Sequence, residues 1–169
     1  VLKKNLIISF ENDQSEIFDS IRDRIANKKG NIRKQKADYL LYSVIDAVID
    51  HYFLILEDLE DEIEKLESRS MKADNPQTLE KIHSLKTMVI LMRRHIWPLR
   101  EIIHNLMEVH TDYISRGTRV YMRDAYDHTI QALDTIDTYR DMISSLQDLY
   151  LSMVSYRMNK VMKVLTVIA

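Results

Sequence analysis

Apolar residues along this chain recur mostly at intervals of three and four, which is the signature of helices with one buried face. From about Ala37 the positions Leu41, Ile45, Val48, Tyr52, Ile55, Leu59, Ile63 and Leu66 form a first seam. A second runs through Leu79, Ile82, Leu85, Val89, Met92, Ile96, Leu99, Ile103 and Leu106. Asn75 and Pro76 before it suit an N-cap and a first-turn proline. Pro98 falls inside the second seam and is expected to bend that helix, because it removes one backbone donor. Gly117 marks a third break, and nothing after it interrupts helical periodicity. The last helix therefore covers roughly 50 residues, or roughly 75 Å at about 1.5 Å per residue. Globular helices average about 11 to 12 residues, so one this long reads as a stalk or coiled coil.

The N-terminal part has a different rhythm. Leu6 to Phe10 is a short apolar run expected to form one strand, followed by the polar turn Glu11-Asn12-Asp13. Asp13 and Glu16 have capping-box spacing, with Ile17, Ile21 and Ile25 following at intervals of four. Lys28, Lys29 and then Gly30 complete the charge order and stop signal of a helix. One strand and one helix make no domain, so residues 1–36 read as the C-terminal remnant of an αβ domain. Residues 37–116 read as two long antiparallel helices and 117–169 as the stalk. The fold class expected is mainly α, with a short strand and helix left at the N-terminus.

Composition narrows the function. Only two Gly and two Pro occur in 169 residues, too few turn formers for an all-β fold. No Cys is present, which removes disulfides, thiolate metal sites and Cys nucleophiles. The net charge of −2 gives no global basic field for nucleic acid. Hydrophobic residues at 46% and charged residues at 30% suit an ordered protein. No signal peptide is evident and no run of about 18 apolar residues is expected to cross a bilayer. The chain starts at Val rather than Met, and Val164–Ala169 reads as the first residues of an apolar span, both expected of a segment of a longer chain.

Three constellations bear on chemistry. In the last helix Leu151, Val154, Met158, Val161, Leu165 and Ile168 make a heptad seam. On a second face Asp148, Ser152, Ser155, Asn159, Met162 and Thr166 step 4, 3, 4, 3, 4. Such a stripe either faces bulk water or lines a wet axial pore. In the pore reading Asp148 and Asn159 offer oxygen to a hydrated cation, and Met162 and Leu165 make an apolar constriction. Arg157, Lys160 and Lys163 precede the final apolar residues, as on the cytoplasmic side of a membrane helix. The second constellation is the acidic run Glu57, Asp58, Glu60, Asp61, Glu62, Glu64 and Glu67, either a solvated face or a loose field for hydrated divalent cations. The third is a pair of Glu-x-x-His segments, Glu80–His83 and Glu101–His104. That spacing serves di-iron bundles, but there the two segments lie on different helices at one level. Here both fall on one predicted helix, roughly 30 Å apart. His51, His95, His110 and His128 have no paired ligand spacing, and no phosphate loop or nucleophile elbow is present. No catalytic residue is assigned.

Four stretches resemble one family in order and spacing. They are Asp38–Asp46 (DYLLYSVID), Ile96–Glu101 (IWPLRE), Tyr121–Gln131 (YMRDAYDHTIQ) and Asp148–Ile168 (DLYLSMVSYRMNKVMKVLTVI). The resemblance is to the CorA family of divalent-cation channels, and it covers nearly the whole chain. It implies a homopentamer in the cell inner or plasma membrane, this segment lying on the cytoplasmic side and its stalk running into the first membrane helix. It implies Mg²⁺ as both cargo and regulator, with cobalt or nickel as further cargo, no organic cofactor and no nucleic-acid partner. By position Asp148 matches the acidic residue at the cytoplasmic mouth, and Asn159, Met162 and Leu165 match pore-lining positions. Asp124 matches a carboxylate of the regulatory magnesium site between subunits, and Asp46 an acidic residue close by. The partners of Asp124 belong to the family's N-terminal region, so the site is half present here. The family's Gly-Met-Asn signature belongs beyond Ala169, which leaves a zinc-transporting relative open, beside the rival reading of a soluble structural coiled coil.

Overall fold

The computed structural model describes residues 1–10, 16–70, 77–108 and 113–168. The turn at Glu11–Asp13 and the Asn75–Pro76 cap lie outside these residues. Two strands, β1 (Leu2–Lys3) and β2 (Leu6–Ile7), are followed by four helices: α1 (Asp19–Ala26), α2 (Ala37–Ser70), α3 (Gln77–Glu108) and α4 (Arg116–Ile168).

The expected single strand is instead a small antiparallel hairpin, with Leu2 opposite Ile7 and Lys3 opposite Leu6. A strand needs a partner for its backbone donors and acceptors. The apolar start Val1-Leu2 supplies one across Lys4-Asn5, and the Ile8 N–H closes the ladder on the Val1 carbonyl at 2.9 Å. Phe10, counted into the strand by apolarity, lies outside it and is 90% exposed.

A short 3₁₀ turn at Glu16–Phe18 leads into α1, whose inward residue is Ile21. The helix stops earlier than Gly30. Lys28 takes the left-handed conformation at φ 55°, and the Lys29 N–H returns to the Arg24 carbonyl at 3.0 Å. This is the six-to-one bond of a Schellman ending. Asp23 holds it by accepting from the Asn27 side chain and from Lys29 Nζ, the latter at 2.9 Å. Left-handed backbone costs a non-glycine residue roughly 1–2 kcal/mol, part of which glycine gives back in chain entropy. Lys28→Gly is therefore expected to stabilise the protein by roughly 0.5–1 kcal/mol, read as a higher urea midpoint.

The described residues form two compact units, Val1–Ile55 with Arg94–Leu133, and Leu56–Arg93 with Asp134–Ala169. In the first, Ile45 and Ile49 of α2 pack with Ile103 of α3 and with Met122 and Ala125 of α4. A neighbouring cluster joins Ile21 and Ile32 to Tyr39. Tyr42 touches both clusters. The start of α4 is fixed by Ser115, whose Oγ accepts from the Thr118 N–H at 3.3 Å as an N-cap. The Ser115 N–H in turn donates to buried Asp38 Oδ2 at 2.8 Å. Gly117 is thus inside the first turn of α4, and the break falls before Arg116.

Burial pushes the Asp38 carboxyl up, but donors from Ser115, Thr118 and the Tyr39 backbone outweigh it and hold it below the ordinary carboxylate range. A group depressed on folding contributes stability above its unfolded pKa of about 3.9 and loses it as pH falls through the folded value. Asp38→Ala is expected to cost about 1–2 kcal/mol at neutral pH. In urea melts the gap between variant and wild type should close in strong acid.

In the second unit the buried hydrophobic residues are Leu56, Leu59, Ile63 and Leu66 of α2, Ile82, Leu85, Val89 and Met92 of α3, and Ile136, Tyr139, Ile143 and Leu146 of α4. Polar links join the same segments at the rim: Lys81 Nζ to Glu62 at 2.6 Å, Arg93 to Asp137 at 3.2 Å, and Lys86 Nζ to Gln147 at 3.4 Å. Helix α3 runs on through Pro98. One expectation needs correcting: α2 is long and apolar enough to cross a membrane, with mean hydropathy 1.5 in its most apolar window. Tyr39–Leu56 contains only two acidic side chains, Asp46 and Asp50, so its composition resembles a span although part of its apolar surface lies in the core.

Candidate functional site

Within the first unit the residues assigned to regulation stand on two helices that pack together, Asp46 on α2 and Asp124 on α4. Tyr42, Asp46 and Asp50 follow one another at intervals of four, so they share one face of α2. Asp124 and His128 are spaced the same way on α4. Three tyrosine rings join the two helices. Tyr42 lies 5.6 Å from Tyr39 and 5.2 Å from Tyr121, and Tyr39 meets Tyr121 edge-on at 5.3 Å. Tyr121 is one turn before Asp124, as Tyr42 is one turn before Asp46.

Asp46 is half-buried, whereas Asp50, Asp124 and His128 are exposed. Burial is the main force raising the Asp46 carboxyl, and the Asp50 charge adds to it. The hydrogen bond from the Tyr42 hydroxyl, with the pull of His128 and Arg24, opposes that rise. The Tyr42 phenol is pushed well above its ordinary value, first by burial, then by the charge of Asp46 and its hydrogen bond, and also by Asp124. His128 is held edge-on to Phe53 at 6.3 Å. Among the described residues no group of three or more His, Asp or Glu forms a set able to hold a metal ion.

Tyr42, Asp50 and His128 are polar neighbours of these carboxylates that the sequence alone did not single out. All three stand one turn from an assigned carboxylate, and that spacing was the available signal.

In the second unit the acidic run is partly engaged. Glu62 is drawn below the carboxylate range by hydrogen bonds from Lys81 and Lys65. Glu60 accepts from the buried Tyr139 hydroxyl at 3.0 Å, and burial, that bond and the charges of Glu60, Glu57 and Glu64 push this phenol up to about 12. The Glu-x-x-His segments are both on α3, as expected, and the second is occupied otherwise. His104 packs beside Tyr126 at 5.8 Å, and Glu101 pairs with Arg100 at 2.8 Å.

The last 21 described residues of α4 carry the proposed pore face. From Asp148 to Ile168 every side chain is exposed except those of Tyr150, Met153 and Arg157, which are half-buried. Met162 is 58% and Leu165 56% exposed, and both Asp148 and Asn159 are open to solvent. Thr166 turns its hydroxyl onto the Met162 carbonyl at 2.8 Å, which removes one donor from the polar stripe. Apolar and polar stripes thus both lie uncovered within this chain.

Solved structures from other organisms share this arrangement of helices. The complete CorA magnesium transporter of Methanocaldococcus jannaschii matches with a TM-score of 0.84 at 27% identity, over 92% of this chain and 50% of that one. The ZntB cytoplasmic domain of Vibrio parahaemolyticus shares the fold, with a TM-score of 0.70 at 20% identity over 84% of this chain and 54% of that one. The CorA-like Mg2+ transporter protein model matches residues 1–169, and the chain belongs to that family. It is 46% identical to the cobalt/magnesium transport protein CorA of Thermotoga maritima over 169 residues, all of this chain and 48% of the relative. It is 27% identical to the protein of the same name from M. jannaschii over 168 residues, 99% of this chain and 53% of the relative. The chain thus spans about half the length of these curated relatives.

Proposed function

We propose that this chain is the cytoplasmic sensing and gating part of a homopentameric magnesium channel in the cell inner or plasma membrane. The observation that carries this reading is the exposed end of α4, where a polar stripe and an apolar seam run side by side with no cover from the same chain. Five such helices around an axis give each stripe a use. Asp148 and Asn159 present oxygens to hydrated Mg²⁺ as cargo, and Met162 and Leu165 narrow the path with apolar surface. Magnesium sheds water reluctantly, so oxygens that accept from its water shell suit conduction.

Control comes from Asp124 and Asp46. Carboxylates facing one another across a subunit boundary repel when bare, so the closed ring is favoured only while their charge is neutralised. Cytoplasmic Mg²⁺ that binds the closed arrangement better than the open one shifts the population towards closure.

Asp124→Asn is expected to leave the channel conducting at cytoplasmic magnesium concentrations that close the unaltered protein. The half-closing concentration should rise several-fold, about 1 kcal/mol of lost coupling. Currents recorded during a magnesium titration check this, and an unchanged titration would remove Asp124 from the sensor.

A further inference from the structure

We infer that two grooves flanking α4 in the second unit close on one another between neighbouring copies of this chain, with Lys86 of one copy set against Glu67 of the next. The inference rests on the homo-oligomeric reading given above and names the faces that meet. One groove is formed by Ile63 and Glu67 of α2 with Thr138, Met142, Ser145 and Leu149 of α4. The other is formed by Leu79, His83, Lys86 and Ile90 of α3 with Gln147 of α4. The four α4 residues of the first and the four α3 residues of the second both step by four, three and four. That is the spacing with which two helices interlock side chains. Each seam is about 16 Å long, so the two match in length as well.

Both seams are left partly open within the chain. Leu79 and Ile90 are 43% and 56% exposed, and Leu149 is 39% exposed. The Thr138 and Ser145 hydroxyls return to their own helix, on the Asp134 and Asp141 carbonyls at 2.9 and 3.0 Å, so they need nothing from a partner. Charge then decides which face meets which. The first groove carries Glu67 and also Asp141, which is already paired with Arg140 at 3.0 Å. The second carries Lys86, with His83 one turn away. Two copies meeting through the same groove would set acid on acid or base on base, whereas unlike grooves set Lys86 on Glu67. Contacts between unlike faces of one chain generate rings when the rotation closes. A ring also requires both faces at one height, because rotation about its axis leaves height unchanged. Lys86 Nζ donates to Gln147 at 3.4 Å, and Glu67 shares its groove with Leu146 and Leu149. Both charges thus stand at the same level of α4, the helix that runs along the axis in the pore reading.

The test is cross-linking in the full-length protein, purified in detergent. This chain has no Cys, so introduced thiols are the only ones within it. Glu67→Cys and Lys86→Cys, made in separate copies and co-expressed, are expected to give a two-chain product with a short thiol-to-thiol reagent. Neither variant alone should give it. Sedimentation of the same samples reports whether the protein is assembled. A product from either variant alone would mean that like faces meet, which overturns the inference. Absence of product in an assembled sample overturns it too and leaves the homo-oligomeric reading standing. A protein that sediments as single chains removes that reading and this inference together. Charge supplies the second measurement. Glu67→Lys and Lys86→Glu, each alone, are expected to raise the concentration at which the assembly half-dissociates by about tenfold. Both changes in one chain should restore it to near the wild-type value. A double variant weaker than either single one would overturn the pairing.

Discussion

On the pore reading proposed above, replacing Met162 and Leu165 together with serine is expected to leave the assembled channel leaking at magnesium concentrations that close the unaltered one. In this chain both side chains are more than half exposed, at 58% and 56%, so the change removes little internal packing. Its effect should fall on the pore. An apolar constriction stops an ion by excluding the water that the ion must carry with it. Hydroxyls at the same positions hold that water and lower the barrier. Met162 continues the stripe of Asn159, and Leu165 follows three residues later on the adjoining apolar seam. The pair therefore spans one turn, and changing both removes the dry segment rather than shortening it. A rise of roughly tenfold or more in closed-state flux corresponds to about 1.4 kcal/mol taken from the barrier. Magnesium flux into proteoliposomes held at closing concentrations measures it. Tyr156→Ser, at a site 71% exposed and off both stripes, is the control expected to do nothing. Closed-state flux equal to wild type in the double variant would place the gate elsewhere.

The helices were legible because their periodicity is strong, while register was legible only where polar residues interrupt the apolar ones. On α3 the pattern selected Ile82, Leu85, Val89, Met92, Ile96 and Ile103, all buried. Only Leu79, at the start of the helix, is exposed at 43%. On α2 the expected seam chose Val48 and Ile55, whereas Ile49 and Leu56 are the buried residues, at 1% and 2%. The stretch from Tyr52 to Leu56 is wholly apolar, so hydrophobicity cannot decide which side turns inward. Spacing can. Ile45, Ile49, Tyr52, Leu56, Leu59, Ile63 and Leu66 alternate strictly by four and three. The expected series needed two successive steps of four at Ile55, Leu59 and Ile63. A packed seam keeps the alternation because a helix turns once in about 3.6 residues.

The site was less legible for a different reason. Asp46 and Asp124 are 78 positions apart, and nothing local to either says that the helices carrying them pack together. Their selection came from the family resemblance. The cluster of Tyr39, Tyr42 and Tyr121 that joins them is likewise a product of tertiary packing. The N-terminal hairpin shows the same limit at small scale, since a pairing partner on the far side of Lys4-Asn5 leaves no periodic signal.

Ile103→Ala and Ile102→Ala, made separately, are expected to differ by several kcal/mol although the residues are neighbours of the same type. Ile103 is fully buried in the cluster with Ile45, Ile49, Met122 and Ala125, so three helices close on it. Truncation there removes apolar contacts from all of them and leaves a cavity that rigid helices fill poorly. Buried isoleucine-to-alanine changes cost about 2–5 kcal/mol. Ile102 is 53% exposed on the other side of α3 and has little burial to lose. Its replacement should stay within about 0.5 kcal/mol, helped slightly by the better helix propensity of alanine. Because the chain forms two compact units, a single melting temperature can hide a change confined to one of them. Urea melts followed by hydrogen exchange at α2 and α4 residues of the same unit avoid that. Loss of protection at Ile45, Ile49 and Met122 in Ile103→Ala, with Ile102→Ala unchanged, is the expected result. Equal effects from the two would mean that the outward face of α3 is itself packed in the assembled protein, and that the exposure of Ile102 in the isolated chain marks a contact between subunits.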